Sequence, residues 1–328
     1  AMVTPGKGVL AEDESTGKIT KRLAAIDVES SEANRRAYRN LLFTTEGMED
    51  YVSGVILFEE TLYQNADDGT PFSRLLADRG VIPGIKVDKG AKALAGSPDE
   101  KVTEGLDGLR ERLADYRDAG ARFAKWRGVI TIGDGLPGNA CLDANAHGLA
   151  RYAVLCQEAG IVPIVEPEVL MDGGHSIERC EEVTAQTLQR VFAALHGQGV
   201  LLEGMLLKPN MVISGTENPR QADVDEVAQA TLRCLKRHVP AAVPGIVFLS
   251  GGQSDELASA HLNQMNHIGG APWTLSFSYG RALQAPALAA WRGAQENIAA
   301  AQAAFFLRAK CNGAATLGEY SAKMEEAA

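Results

Sequence analysis

Apolar residues recur along the chain in short continuous runs, and amphipathic stretches fill the intervals. The runs fall at residues 8–11, 54–58, 81–87, 123–132, 161–165, 204–208, 245–250 and 274–279. Segments such as Val-Ile-Leu-Phe at 55–58 and Ile-Val-Pro-Ile-Val at 161–165 are apolar at consecutive rather than alternate positions. Parallel strands covered on both faces have this pattern. The runs start 27–46 residues apart, and most intervals have room for a helix and two loops. Helical periodicity marks 105–119, 177–195 and 223–237, a helix fits 139–158, and the alanine-rich stretch 286–310 favours helix. Eight strand–helix units predict an α/β fold, a (β/α)8 TIM barrel spanning residues 1–328 as a single domain. An open doubly wound sheet is the alternative, but eight strands of similar spacing favour closure.

Composition narrows the chemistry. Of 328 residues, 45% are hydrophobic and 23% charged, which excludes a disordered, collagen-like or disulfide-stapled chain. A balance of 32 basic against 42 acidic residues gives −10, so neither nucleic acid nor an anionic membrane is an expected partner. An anionic ligand must instead be caught by a local cluster of cations. Cys141, Cys156, Cys180, Cys234 and Cys311 are scattered without a CxxC pair, as in a reduced cytoplasmic protein. The six histidines form neither HxH nor HExxH, so no metal site is expected. No apolar run approaches the length of about 18 residues that a membrane span needs. The first residues lack the apolar core of a signal peptide.

Barrel chemistry clusters at the C-terminal ends of strands. Those ends supply Asp13, Glu59, Lys86 with Asp88, Lys125 with Arg127, Glu166 with Glu168, Lys208, Ser250 and Arg281. Residues two apart on a strand share a face, so each named pair points to one side. Charges are costly to bury unless paired, and their convergence on one rim implies a polar pocket. Lys208, after an apolar strand, is the candidate nucleophile; desolvation and cations such as Lys125 would favour its neutral amine. An amine that adds to a carbonyl forms an imine, and Glu166 and Glu168 are placed to move the protons. The plainer alternative makes both glutamates counter-ions for the lysines, and Glu168 fits that role equally well. Ser-Gly-Gly-Gln-Ser at 250–254 and Tyr-Gly-Arg at 279–281 follow the last two strands, where barrels often grip phosphate. Residues 133–138 fit GxGxxG, but Pro137 stiffens the turn and the motif follows the fourth strand, which argues against a nicotinamide site.

Seven segments in series resemble the class I, Schiff-base fructose-1,6-bisphosphate aldolase family. They are PGKGVLAEDESTG at 5–17, GIKVDKG at 84–90, FAKWR at 123–127, VEPE at 165–168, LLKPNM at 206–211, LSGGQS at 249–254 and FSYGRAL at 277–283. The resemblance implies a cofactor-free lyase of glycolysis and gluconeogenesis, usually a homotetramer. The implied reaction is reversible cleavage of fructose 1,6-bisphosphate to dihydroxyacetone phosphate and glyceraldehyde 3-phosphate. By matching motif, Lys208 is similar to the Schiff-base lysine and Glu166 to the acid/base that dehydrates the carbinolamine. Asp13, supported by Lys125, matches the carboxylate that takes part in breaking the carbon–carbon bond. Ser250, Gly251, Gly252, Ser278, Gly280 and Arg281 match the grip on the ketose-side phosphate. Ser15, Arg22, Lys86 and Arg127 match positions around the other phosphate.

The chain departs from that pattern in three places. Lys18 stands where family members often carry a serine that touches the distal phosphate. The leading helical segment of the family is expected to be short or absent. The mobile tail with its terminal tyrosine is likewise expected to be missing, and Tyr320 does not match that tyrosine. Two rival functions remain: a Schiff-base aldolase for fructose 1-phosphate or sedoheptulose 1,7-bisphosphate, and an inert barrel used as a scaffold. Retention of Asp13, Lys125, Glu166 and Lys208 together argues against the scaffold.

Overall fold

The apolar runs become strands in a computed structural model that describes residues 1–326. In chain order the strands are β1 (Gly8–Glu12), β2 (Val52–Leu57), β3 (Ile82–Lys86), β4 (Ala91–Leu94) and β5 (Ser97–Thr103). β6 (Phe123–Ile130), β7 (Val162–Val169), β8 (Leu206–Leu207), β9 (Gly245–Phe248) and β10 (Thr274–Tyr279) complete the set. All but β4 and β5 close into a parallel barrel in the order β1-β10-β9-β8-β7-β6-β3-β2. The helices are α1 (Thr16–Ala24), α2 (Glu32–Phe43), α3 (Glu59–Leu62), α4 (Phe72–Asp78), α5 (Leu109–Asp118) and α6 (Asn139–Glu158). They continue with α7 (Ile177–Gly197), α8 (Val224–His238), α9 (Asp255–Ile268), α10 (Arg281–Trp291) and α11 (Ile298–Leu317).

The two-residue period of the strands explains both the core and the mouth of the barrel. Phe123 is followed at alternate positions by Lys125 and Arg127, Ile164 by Glu166 and Glu168, Leu206 by Lys208, and Ala11 by Asp13. The apolar members join Val9, Ile56 and Val247 in a cluster that fills the barrel interior. The charged members therefore emerge one or two steps further on, at the C-terminal mouth. Register sets them level: Lys86 pairs with Lys125, and Arg127 with Glu166. A Cβ on Gly84 would lie 2.3 Å from the Phe123 ring, so the neighbouring strand admits only glycine there. The opposite strand faces, including Leu10, Val55, Ile85, Trp126, Val165 and Phe248, pack into the main core under the helices.

Several predicted boundaries move for local reasons. The helix expected over 105–119 starts at Leu109, because Gly105 and Gly108 take φ of +127° and +65°. The alanine-rich stretch is two helices rather than one: Arg292 and Gly293 both take positive φ, and a short 3₁₀ turn precedes Ile298. The run at 204–208 contributes only two ladder residues, since Leu202–Gly204 forms a 3₁₀ turn. The antiparallel hairpin β4–β5 has no counterpart among the apolar runs, because β4 is only four residues long and mostly exposed and β5 is largely polar. Its Glu100 reaches the GxGxxG turn. The Glu100 carboxylate accepts from the Gly138 N–H at 2.8 Å and takes the N-terminus of α6, where a pyrophosphate would have to sit. All five cysteines are buried and unpaired. Among the described residues, no helix is long and apolar enough to cross a membrane.

Candidate active site

Lys208 follows the two-residue strand β8, and its backbone N–H donates to Val165 O at 2.8 Å, extending the ladder one step. Its side chain is 4% exposed and its Nζ lies 3.2 Å from Glu166 Oε1. The other oxygen of Glu166 lies 3.1 Å from Lys125 Nζ, and Lys125 in turn reaches Asp13 Oδ2 at 2.6 Å. The result is a line of alternating charge, Asp13–Lys125–Glu166–Lys208, drawn from β1, β6, β7 and β8. Burial pushes the Asp13 and Glu166 carboxyls up, but the ammoniums of Lys125 and Lys208 outweigh it and hold both below their ordinary values. Burial likewise pulls Lys125 down, and Asp13 with Glu166 more than reverses it. The carboxylates are therefore ionised at neutral pH. Lys208 thus stands beside a carboxylate, as the sequence suggested, and its ion pair is with Glu166.

A cation-bearing pocket flanks this line on either side. On one side Ser250, Gly251, Ser278, Gly280 and Arg281 line a pocket of about 130 Å³ together with Lys208 and Glu166. Gly251 and Gly252 take φ of +60° and +91°, so the loop bends as only glycine does readily. A Cβ on Gly252 would lie 3.0 Å from the Arg281 guanidinium, which fixes how closely these two loops approach. Ser278 Oγ is buried without a hydrogen-bond partner. An orphaned hydroxyl among cations is a donor held ready for an anion. On the other side Ser15, Lys18, Lys86 and Arg127 line a cavity of about 540 Å³ that shares Lys18, Lys125 and Arg127 with the first. Lys86 Nζ sits 2.8 Å from Asp88 Oδ1, and the Asp88 carboxylate also accepts from the Arg127 N–H at 3.4 Å.

Two assignments change. Arg22 was grouped with the distal phosphate, yet it lines the pocket of Ser250 and Arg281, not the larger cavity. Two turns of α1 carry it from Ser15 back across β1 to β10, where a Cβ on Gly280 would lie 3.8 Å from its Nη2 and where Glu14 pairs with it. Glu168, placed with the acid/base groups by the sequence, pairs with Arg127 rather than with the lysines. Glu59 lies at the outer cavity, held by the Tyr116 hydroxyl at 2.7 Å. Lys101 and Ala91 also line that cavity, and they were missed along with their hairpin. Among the described residues, no three His, Cys, Asp or Glu side chains gather as a metal would need.

A buried amine beside a carboxylate, with cation-rich pockets on both sides, suits a barrel enzyme that works through an imine on a substrate carrying two anions. The model of the family described as fructose-bisphosphate aldolase class-I matches residues 1–328. A relative from Xanthomonas campestris pv. campestris, named a probable fructose-bisphosphate aldolase class 1, is 59% identical over 321 residues, covering 98% of this chain and 96% of the relative. The Arabidopsis thaliana protein named fructose-bisphosphate aldolase 6, cytosolic, is 58% identical and covers 99% of this chain and 91% of the relative. The solved fructose-bisphosphate aldolase from Plasmodium falciparum, in complex with TRAP and a small-molecule inhibitor, superposes with a TM-score of 0.96 at 52% identity. That match covers 98% of this chain and 93% of the solved one. The chain belongs to the class I fructose-bisphosphate aldolase family.

Proposed function

We propose that the protein reversibly cleaves fructose 1,6-bisphosphate into dihydroxyacetone phosphate and glyceraldehyde 3-phosphate through an imine on Lys208. The observation that carries this reading is the 3.2 Å approach of the Lys208 amine to Glu166 between two cationic pockets. Transfer of a proton from Lys208 to Glu166 creates the nucleophile and the acid in one step. The neutral amine adds to the ketose carbonyl, and Glu166 returns its proton to the departing hydroxyl, leaving water and a protonated imine. Asp13 accepts the proton of the hydroxyl on the fourth carbon as the bond to the third carbon breaks. The released electron pair flows into the imine, and the aldehyde departs. Lys125 offsets the charge on Asp13 and Glu166 throughout. Protonation and hydrolysis of the enamine then release dihydroxyacetone phosphate.

The ketose-side phosphate is assigned to Ser250, Gly251, Gly252, Ser278, Gly280, Arg281 and Arg22, and the distal phosphate to Ser15, Lys86 and Arg127. Borohydride reduction in the presence of dihydroxyacetone phosphate tests the reading. A triose fixed on Lys208 alone is expected, with no label and no turnover in Lys208→Met; trapping on another residue would overturn it. A homotetramer follows from the resemblance and is checked by sedimentation. A cytoplasmic location fits the five free thiols and is checked by fractionation.

A further inference from the structure

We propose that Arg308 is a positioning residue for the ketose-side phosphate. Its buried guanidinium ties together the first turns of the two helices that carry the phosphate loops. This rests on the reading of the site given above. The loop after β9 runs through Ser250 and Gly251 into α9, and the loop after β10 runs through Gly280 into α10. The two helices belong to successive strand–helix units: pairing of β9 with β10 sets the spacing at the base of the loops, and the helix starts beyond them need a tie of their own.

Arg308 lies on α11, outside the barrel, and is 3% exposed. Its Nη2 donates to Asp255 O at 2.7 Å and to Ser259 Oγ at 2.6 Å, both on α9. Its Nε donates to Ala282 O at 3.4 Å, one residue beyond Arg281 on α10. Its Nη1 pairs with Glu325 near the C-terminus, and the Tyr320 hydroxyl donates to that carboxylate at 3.0 Å. Ser259 Oγ also donates to Asn312 Oδ1 at 2.6 Å, which anchors the cluster a second time on α11. Every arm of the rigid fork thus has a partner, and two arms bridge the starts of the helices whose loops bring Gly252 and Arg281 together. Lysine, a single point donor, cannot bridge both carbonyls. Glu325 supplies the counter-charge without which a cation this buried would be costly.

The test separates phosphate binding from imine chemistry. Dihydroxyacetone phosphate carries only the ketose-side phosphate, and dihydroxyacetone carries none. Both are trapped on the wild-type chain and on Arg308→Met, Arg308→Lys and Glu325→Gln by borohydride, over a range of concentrations. The half-saturating concentration of dihydroxyacetone phosphate should rise about ten-fold in Arg308→Met and about three-fold in Glu325→Gln, the scale of lost charge-assisted hydrogen bonds. Arg308→Lys should restore only part of the loss. Trapping of dihydroxyacetone should change less than two-fold in every variant. Unchanged half-saturation in folded variants, or an equal loss with both probes, overturns the proposal. If the arginine variants do not fold, Glu325→Gln decides on the same criterion. No trapping by the wild-type chain would overturn the reading of the site, and this inference with it.

Discussion

Lys18 stands in the first turn of α1 and borders both halves of the cleft. Desolvation within the cleft, then the charges of Arg127 and Lys125, lower its pKa, so an arriving phosphate relieves crowding among these cations. At roughly 6 Å and with solvent screening, that charge contributes on the order of 1 kcal/mol, or about five-fold in affinity. Lys18→Ser should therefore raise KM for fructose 1,6-bisphosphate several-fold, most at low salt, and leave fructose 1-phosphate unaffected. Equal effects on both substrates would place Lys18 elsewhere in the mechanism. Asp13 yields a prediction of a different kind. Its carboxyl is depressed in the folded chain, so the unfolded chain binds the extra proton on acidification. The stability it confers is present above the ordinary carboxylate pKa of about 4 and is lost as pH falls below it. Asp13→Asn should flatten the acid limb of a stability–pH curve measured by denaturant titration. An unchanged limb would show that the ion pair adds nothing to folding.

At the scale of elements, the barrel interior is a matched set. Phe123 fills space that Gly84 leaves open, and a methyl at Gly84 would overlap the ring. Gly84→Ala is expected to lower stability by about 2–3 kcal/mol, with Phe123→Leu recovering part of that loss in the double variant. Additive losses would mean that the two side chains do not compete. The hairpin β4–β5 illustrates the opposite case, an element with little apolar content that is held by polar contacts. Thr103 Oγ1 donates to Arg127 O at 2.6 Å, and Glu100 caps α6. Glu100→Gln should cost about 1 kcal/mol of stability in the same assay, the usual worth of a helix cap.

For the whole molecule, closure of the barrel brings cations and carboxylates from separate strands within hydrogen-bonding distance, and the imine proposed on Lys208 is the electron sink. Activity is accordingly expected to survive prolonged treatment with a chelator. A loss restored specifically by zinc would contradict the imine mechanism.

The chain's own pattern of apolar runs determined the eight strands, their parallel pairing and the rim on which the chemistry sits. Strand period put Lys125 with Arg127, and Glu166 with Glu168, on shared faces. The motifs around Lys208 and Arg281 named the reaction family. Distance between side chains of different strands is a property of register and closure, and only the tertiary structure decided it. That is why the pairing of Lys208 with Glu166, and of Glu168 with Arg127, is legible only in the fold. For the same reason the turn of α1 places Arg22 in the pocket of Ser250 and Arg281. The β4–β5 hairpin and Arg308 were invisible in sequence on physical grounds. An exposed polar strand has no hydrophobic period, and a buried arginine looks like a surface one until its partners are folded around it.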